Sequence, residues 1–517
     1  MKNIKSTTLS FLPLSLLAKE IITLFGHTPV LAEAKSLGEK ISVISSFMLE
    51  KRFETAVKVT KPVVDNTMHP MLREYLGLTP VKVKEPEMDL LHVIAFFKML
   101  ENFILKRVWL RNIEELELGR FTSIANEIAD SLTTILLSVD NLTGLEKEKI
   151  LNYIFSSVII YRHFKVKSIP DVSTVSNPYN GEPLTQIIQE QFGPETLSVW
   201  LKAILADYSF SDHAIRLVMY SGNASSPNSG ASSNNLYNDV GAVAADSKLW
   251  DAIISISKNF VNHDAFIRLI EAIRENTKFS NALIHSRLFH FTAPGGKARI
   301  IANVDWLTQT ALSGIHFALF AMLKTIDSDF TFDHKKGIGH VLSAKKVDGM
   351  NYFSIDLTAA TDRIPRLLQA EILSSVFSLL GFNGRSIADQ WLIIVDREFK
   401  TEGSKLNHGL PIKYEVGQGM GIFTSWPIMA LFHHFVINGI CGVTTDRYAL
   451  VGDDLFFYGT NEEFDRYIGF MTSIGVSVNK GKTVISRDAD SPTIEFARNF
   501  VVDGIKLKPF KYGILFA

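Results

Sequence analysis

Gly452-Asp453-Asp454 sets two adjacent carboxylates between two apolar runs, Tyr448 to Val451 and Leu455 to Tyr458. β-Favouring residues on both sides predict a hairpin with its turn at 452–454. Strands this apolar are buried, and two negative charges at the tip of a buried hairpin are costly without a cation beside them. A hard divalent cation such as Mg²⁺ suits the position. It takes carboxylate oxygens and leaves its remaining positions to phosphate and water. Gly452 relieves a tight turn and lets a bulky ligand approach the backbone. A solvated Gly-Asp-Asp turn is the plainer alternative, and the tripeptide alone does not exclude it.

A third carboxylate stands upstream. Tyr352, Phe353 and Ile355 predict a short strand that delivers Asp356 at its end, where an acidic residue has no capping role. Acidic strand ends at Asp356 and at Asp453/Asp454 have the composition of a two-metal centre. In such centres the ions stand ~3.5–4 Å apart, one activating an attacking hydroxyl and the other stabilising the departing oxygen. Thr358 to Thr361 predict a turn, and Pro365 with Leu367, Leu368 and Ile372 opens an amphipathic helix. Asp362 falls where that helix would begin, so an N-cap is its simplest role.

Between these acidic segments, Gly417, Gly419 and Gly421 predict a flexible loop leading into an apolar helix from about Pro427, with Thr424 or Ser425 as its cap. Backbone N–H groups in such a loop suit a phosphate or a ribose hydroxyl. His433 and His434 lie on the apolar helix and read as packed side chains. Upstream, a Pro294-Gly295-Gly296 turn precedes Lys297 and Arg299, which alternation places on one strand face with Ala298 and Ile300 on the other. With Arg287 they suit a triphosphate or an RNA backbone, although a solvated strand face has the same pattern. Downstream, Lys480 and Lys482 sit in a loop from which a lysine can protonate leaving pyrophosphate. An exposed lysine pair is the simpler reading of that loop.

Taken in order, these stretches resemble the motifs of viral RNA-dependent RNA polymerases, and their wording resembles the mitovirus group. The similarity runs through Gly296–Gln309, Asp356–Pro365, Gly417–Gly421 with Ser425-Trp426 and His433-His434, Val451–Asp454, Gly481–Thr483 and Glu495–Arg498. It covers roughly 285–505. The resemblance implies an α+β right-hand polymerase with helical fingers, an antiparallel β-sheet palm and a short or truncated thumb. It implies fingers and N-terminal region over 1–284, a basic strand and fingers–palm connection over 285–345, a palm over 346–500 and the start of a thumb over 501–517.

It further implies that Asp356, Asp453 and Asp454 coordinate Mg²⁺, with Mn²⁺ as a substitute. Asp362 would lie near the ribose of the incoming nucleotide, Lys297 and Arg299 on its triphosphate, and Lys482 would act as general acid. Arg287, Gln418, Gly419 and Ser425 complete the expected nucleotide-binding set. The partners are then template RNA and nucleoside triphosphates, the setting is a host mitochondrion or else the cytoplasm, and the task is replication of a small positive-strand viral genome. Position 419 is Gly where many relatives carry proline, which predicts a looser loop. An inactive integrated relic or an RNA-binding remnant without a thumb is the competing expectation, and a reverse transcriptase fits the carboxylate pattern less well.

Composition agrees with a globular chain. Of 517 residues, 46% are hydrophobic and 21% charged, enough for a large core and too apolar for a disordered chain. The net charge of −1 is unusual for an RNA binder, so a positive channel has to come from local clusters such as 287–299, 335–346, 480–487 and 498–511. One cysteine, Cys441, excludes a disulfide framework and a Cys-rich zinc site. Leu90 to Leu110 carries His92, Lys98, Glu101 and Lys106, which predicts a buried amphipathic helix rather than a membrane span. Phe11 to Ala18 predicts a first helix, and helical patterning continues to Tyr208 with breaks near 26–29, 62–70, 80–86 and 170–183. Ser221 to Asn238, rich in Ser, Asn and Gly, predicts a mobile spacer with a possible role at the RNA channel.

Overall fold

In the computed structural model, residues 90–106, 122–163, 170–210, 214–219, 225–276, 283–401 apart from 294 and 296, and 406–509 are described. The expected first helix and the breaks before residue 87 lie outside them.

The described chain begins with helices. These are α1 (Leu90–Lys106), α2 (Thr122–Val139), α3 (Gly144–Ile159), the short α4 (Ser173–Ser176), α5 (Leu184–Gln191), α6 (Pro194–Ile204), α7 (Leu236–Ala244), α8 (Ser247–Ser257) and α9 (His263–Glu275). The hairpin β1 (Ser286–Ala293) and β2 (Lys297–Val304) follows, then α10 (Trp306–Leu323), α11 (Gly337–Leu342), β3 (Asn351–Ile355), α12 (Ala360–Arg363), α13 (Arg366–Leu379) and α14 (Gly384–Val395). Next come β4 (Glu398–Phe399), β5 (Ile412–Lys413), α15 (Ser425–His434), β6 (Tyr448–Val451), β7 (Asp454–Gly459), α16 (Asn461–Ser473), β8 (Val484–Ser486), β9 (Ile494–Phe496), β10 (Asn499–Val502) and β11 (Ile505–Lys506).

The central sheet has the order β6-β7-β3-β8 and is antiparallel throughout. Side chains alternate across it, and both faces are covered. Phe353, Ile355, Leu455 and Phe457 join the main core beneath the helices, where Phe464 of α16 stacks on Phe353 with ring centroids 4.6 Å apart. Tyr352, Phe456 and Tyr458 point the other way, into a smaller core with Phe330, Ile338 and Phe496. Two covered faces explain why the hairpin strands read as unbroken apolar runs rather than alternating ones. α1, α2 and α3 form a separate cluster that docks on Val484 and on Phe500 and Val502 of the small β9–β10–β11 sheet. The N-terminal helices therefore pack against the C-terminal strands.

α10 is long and apolar enough to cross a bilayer, yet 72% of it is buried within the fold. Asp305 caps its N-terminus, accepting from Thr308 N at 2.7 Å, and Arg397 pairs with the same buried carboxylate at 3.2 Å.

The described part of the expected mobile spacer, 225–238, is held by hydrogen bonds. Ser226 Oγ and Asn228 Nδ2 donate to Asp239 at 2.7 and 2.9 Å, and Asn228 exchanges hydrogen bonds with the backbone of Ile284. Polar residues that look like linker by composition here satisfy a buried carboxylate, whose pKa is pushed up to about 6 by burial and then by Asp305.

Candidate active site

Asp356 follows β3 directly, and register decides what it meets. The β3–β7 ladder ends at Ile355↔Leu455, so one further step sets Asp356 across from Asp454, the first residue of β7. Val451 pairs with Asp454, which leaves Gly452 and Asp453 as a two-residue turn, with Gly452 at φ 63°. Directly opposed residues of an antiparallel pair point to the same face of the sheet. The register thus places the three carboxylates at one end of the sheet.

Their electrostatics agree with that closeness. The Asp454 carboxyl is pushed up to about 7, first by burial and then by the charges of Asp453 and Asp356. Burial likewise raises Asp453, with Asp356 adding to it and Arg299 and Lys482 opposing. Lys482 Nζ lies 2.7 Å from Asp356 Oδ2. Among the described residues no group of three or more His, Cys, Asp or Glu side chains stands ready-made as a metal cage. The donor set nevertheless fits a hard cation: two carboxylates whose charge is disfavoured by burial and then by neighbouring carboxylates, and a third holding the only cation that neutralises it by a direct salt bridge among the described residues.

The basic strand faces this site. Lys297 and Arg299 are exposed on one face of β2, while Ile300, Ala302 and Val304 are buried on the other. Lys297 has its pKa lowered by desolvation and then by Lys482, with Asp356 opposing. It keeps solvent access on the outward face of β2. Arg287 pairs with Asn303 at the far end of the same hairpin, ~13 Å along the ladder from Arg299 at ~3.3 Å per residue. It is not gathered with the carboxylates.

The glycine loop lies beneath β2. Ala302 N donates to the Met420 carbonyl at 2.8 Å, and a Cβ on Gly419 would stand 2.4 Å from the Ala302 Cβ. The close approach requires glycine at 419 and holds the loop against the strand, contrary to the looser loop expected. Gln418 is fully buried and donates to Gln369 Oε1 at 2.5 Å, so its side chain supports the loop from within rather than facing the cleft. Ser425 begins α15 and is buried. Thr424 occupies the N-cap position at φ 80°, but its hydroxyl accepts from Trp391 Nε1 at 2.8 Å instead of capping.

Asp362 is not an N-cap either. It sits inside α12, where its carboxylate accepts from Thr174 Oγ1 at 2.7 Å, and burial pushes its pKa up to about 6. While Lys482 reaches Asp356, the carbonyls of Lys480 and Gly481 accept from Lys106 Nζ of α1. Nothing in the local sequence of Thr174 or Lys106 marks either as a neighbour of the site. Only the fold brings them to Asp362 and to the lysine loop.

The mitovirus RNA-dependent RNA polymerase family matches residues 208–516, more than half of the chain. The chain belongs to this family. The RNA-directed RNA polymerase of Cryphonectria parasitica mitovirus 1 (strain American chestnut tree/New Jersey/NB631) is 33% identical over 208 residues, 39% of this chain and 24% of that protein. The match thus spans about a quarter of that relative's length. Two uncharacterized mitochondrial proteins of Arabidopsis thaliana are each 25% identical, over 35% and 31% of this chain and 70% and 78% of their own lengths. The matched region includes Arg287, Lys297, Arg299, Asp356, Asp362, Asp453, Asp454 and Lys482, whereas Thr174 and Lys106 precede it.

Proposed function

We propose that the chain is a viral RNA-dependent RNA polymerase that copies a small positive-strand RNA genome by two-metal nucleotidyl transfer in a host mitochondrion. The observation that carries this reading is the register of β3 against β7, which brings Asp356 to Asp454 beside the Asp453 turn. Family membership and the RNA-directed RNA polymerase among the relatives support it. The mitochondrial description of two relatives supports the location.

In this reading Asp356, Asp453 and Asp454 hold Mg²⁺, or Mn²⁺ in its place. Bound there, the ions would lower the pKa of the attacking hydroxyl and stabilise charge on the departing oxygen. Lys297 and Arg299 bind the triphosphate across the cleft and neutralise its charge. Asp362 accepts from a ribose hydroxyl when ionised. Lys482 donates its proton to pyrophosphate as the bond breaks. The helices before residue 284 and the β1–β2 hairpin serve as fingers, the four-stranded sheet as palm, and template RNA runs over the basic face.

Primer extension by the purified chain, with RNA template, nucleoside triphosphates and Mg²⁺, tests the proposal. Template-dependent extension that Asp453→Asn abolishes is the expected result. Absence of extension with both Mg²⁺ and Mn²⁺ while RNA still binds would favour the RNA-binding remnant instead.

A further inference from the structure

Asp453 leaves a turn whose direction is set by one peptide unit, the carbonyl of Gly452. That carbonyl is not left to solvent. His433 Nδ1 lies 2.9 Å from it, and the other ring nitrogen of His433 lies 2.7 Å from the Tyr467 hydroxyl. A carbonyl oxygen only accepts, so Nδ1 must carry the proton, and Nε2 then accepts from Tyr467 O–H. The chain of donors runs one way: Tyr467, His433, Gly452. Both side chains are fully buried, so no water competes for these bonds.

His433 does not act alone on its helix. Trp426 and His433 are seven residues apart on α15, two turns along the same face, with Met429 between them. A Cβ on Gly452 would meet the Trp426 ring at 2.7 Å, so that ring lies directly under the turn. Met429 Sδ receives Thr361 Oγ1 at 3.6 Å, in the segment that follows Asp356. One helical face therefore touches both acidic elements. The next residue turns elsewhere: His434 Nε2 donates to Asp329 at 3.1 Å, and Nδ1 accepts from the Tyr448 hydroxyl at 2.8 Å, fixing the base of β6. An apolar pair could pack on this helix but would take the imidazole donors away from the Gly452 carbonyl and the buried Asp329 carboxylate. Imidazoles with satisfied nitrogens are needed only if their partners must be held in place.

We propose that His433, oriented by Tyr467, is a positioning residue that fixes the Gly452–Asp453 turn and so sets where the Asp453 carboxylate meets a divalent cation. The proposal rests on the polymerase reading for its consequence in catalysis but not for its geometry. Partners that orient metal ligands typically change metal affinity or activity by about 10–100-fold when removed.

Three full-length variants test it. Tyr467→Phe removes one hydroxyl and keeps the ring, His433→Phe removes both polar contacts, and His433→Asn keeps an amide donor for the carbonyl. Mn²⁺ binding is read by electron paramagnetic resonance, turn protection by hydrogen exchange over 448–459, and nucleotide addition as separate kcat and KM. Tyr467→Phe and His433→Phe are expected to bind Mn²⁺ about tenfold more weakly, to exchange faster at the turn and to lose kcat at unchanged nucleotide KM and RNA affinity. His433→Asn should recover part of each loss. Parental Mn²⁺ affinity and kcat in Tyr467→Phe, or in a folded His433→Phe, would overturn the proposal, as would turn protection equal to the parent's. If the parent itself neither binds Mn²⁺ nor adds nucleotides, the polymerase reading fails, and hydrogen exchange still decides whether the turn is braced.

Discussion

Lys482 Nζ and Asp356 Oδ2 stand 2.7 Å apart, so the ammonium proposed to protonate pyrophosphate rests on a carboxylate proposed to hold metal. Both groups are partly open to solvent, at 42% and 30% side-chain exposure, which keeps the pair exchangeable. A cation arriving at Asp356 and the lysine compete for the same oxygen. Released from Asp356, Lys482 is free to serve the leaving group.

Lys482→Leu should therefore have two effects of opposite sign. Single-turnover nucleotide addition should fall on the order of 10²–10⁴-fold, the usual contribution of a positioned general acid. Mn²⁺ affinity measured without nucleotide should rise, because the competing ammonium is gone, and template binding should stay near the parental value. Lys482→His should retain part of the rate with a lower pH optimum. A leucine variant that adds nucleotides at the parental rate reduces Lys482 to a surface lysine.

Lys297 and Arg299 share the exposed face of β2, and both act on the charges at the end of the sheet. Hydrogen bonds to charged groups contribute ~1.5–3 kcal/mol, so Lys297→Ala or Arg299→Ala should raise the apparent nucleotide KM roughly 10- to 100-fold. RNA affinity should fall far less. Steady-state kinetics beside filter binding separates the two, and equal loss of both would mean these groups read the RNA backbone instead of the nucleotide.

The acidic hairpin, the strand before Asp356 and the alternation of Lys297 and Arg299 were legible because period and turn chemistry are local properties. What failed was legible only in three dimensions. Asp362 reads as an N-cap because it precedes an amphipathic run, but Thr174 holds it within α12. Gln418 reads as a loop residue open to ligand, but its side chain is buried and donates to Gln369 of α13. Ser226 and Asn228 read as linker, though a buried aspartate thirteen and eleven residues onward receives them. His433 read correctly as packed, but no helical pattern reports that its nitrogens reach a turn and a tyrosine on two other elements.

Asp362 supplies a pH test. Burial raises its carboxyl to about 6 in the folded chain, against an ordinary value of ~3.9. Between those values the folded state binds more protons than the unfolded one, so this group's contribution to stability is full below ~3.9 and is lost as pH rises toward 6. The role toward a ribose hydroxyl proposed for it needs the ionised form, so nucleotide binding should improve through the same interval. The Thr174 hydroxyl donates to the carboxylate and lowers its pKa. Thr174→Val should move the acidic limb of the kcat/KM profile upward and leave the alkaline limb in place. An unmoved acidic limb would separate Asp362 from nucleotide binding.

Lys106 reaches the site from α1, before the region that the family matches. Its ammonium donates to the carbonyls of Lys480 and Gly481, the two residues that precede Lys482. Fixing those carbonyls limits where the Lys482 stem begins, so Lys106 should act on catalysis through Lys482 alone. Lys106→Met should lower kcat roughly 3- to 10-fold, corresponding to a charge-assisted pair of hydrogen bonds netting ~1 kcal/mol, at unchanged nucleotide KM. Burial lowers the Lys106 pKa to about 8, so its charge, and with it the strength of the clamp, fades as pH passes that value. Lys106→Arg keeps the charge and should flatten any alkaline loss of rate. The double variant decides the matter. If Lys106 works through Lys482, Lys106→Met added to Lys482→Leu changes nothing further, whereas multiplying effects would assign Lys106 an independent role.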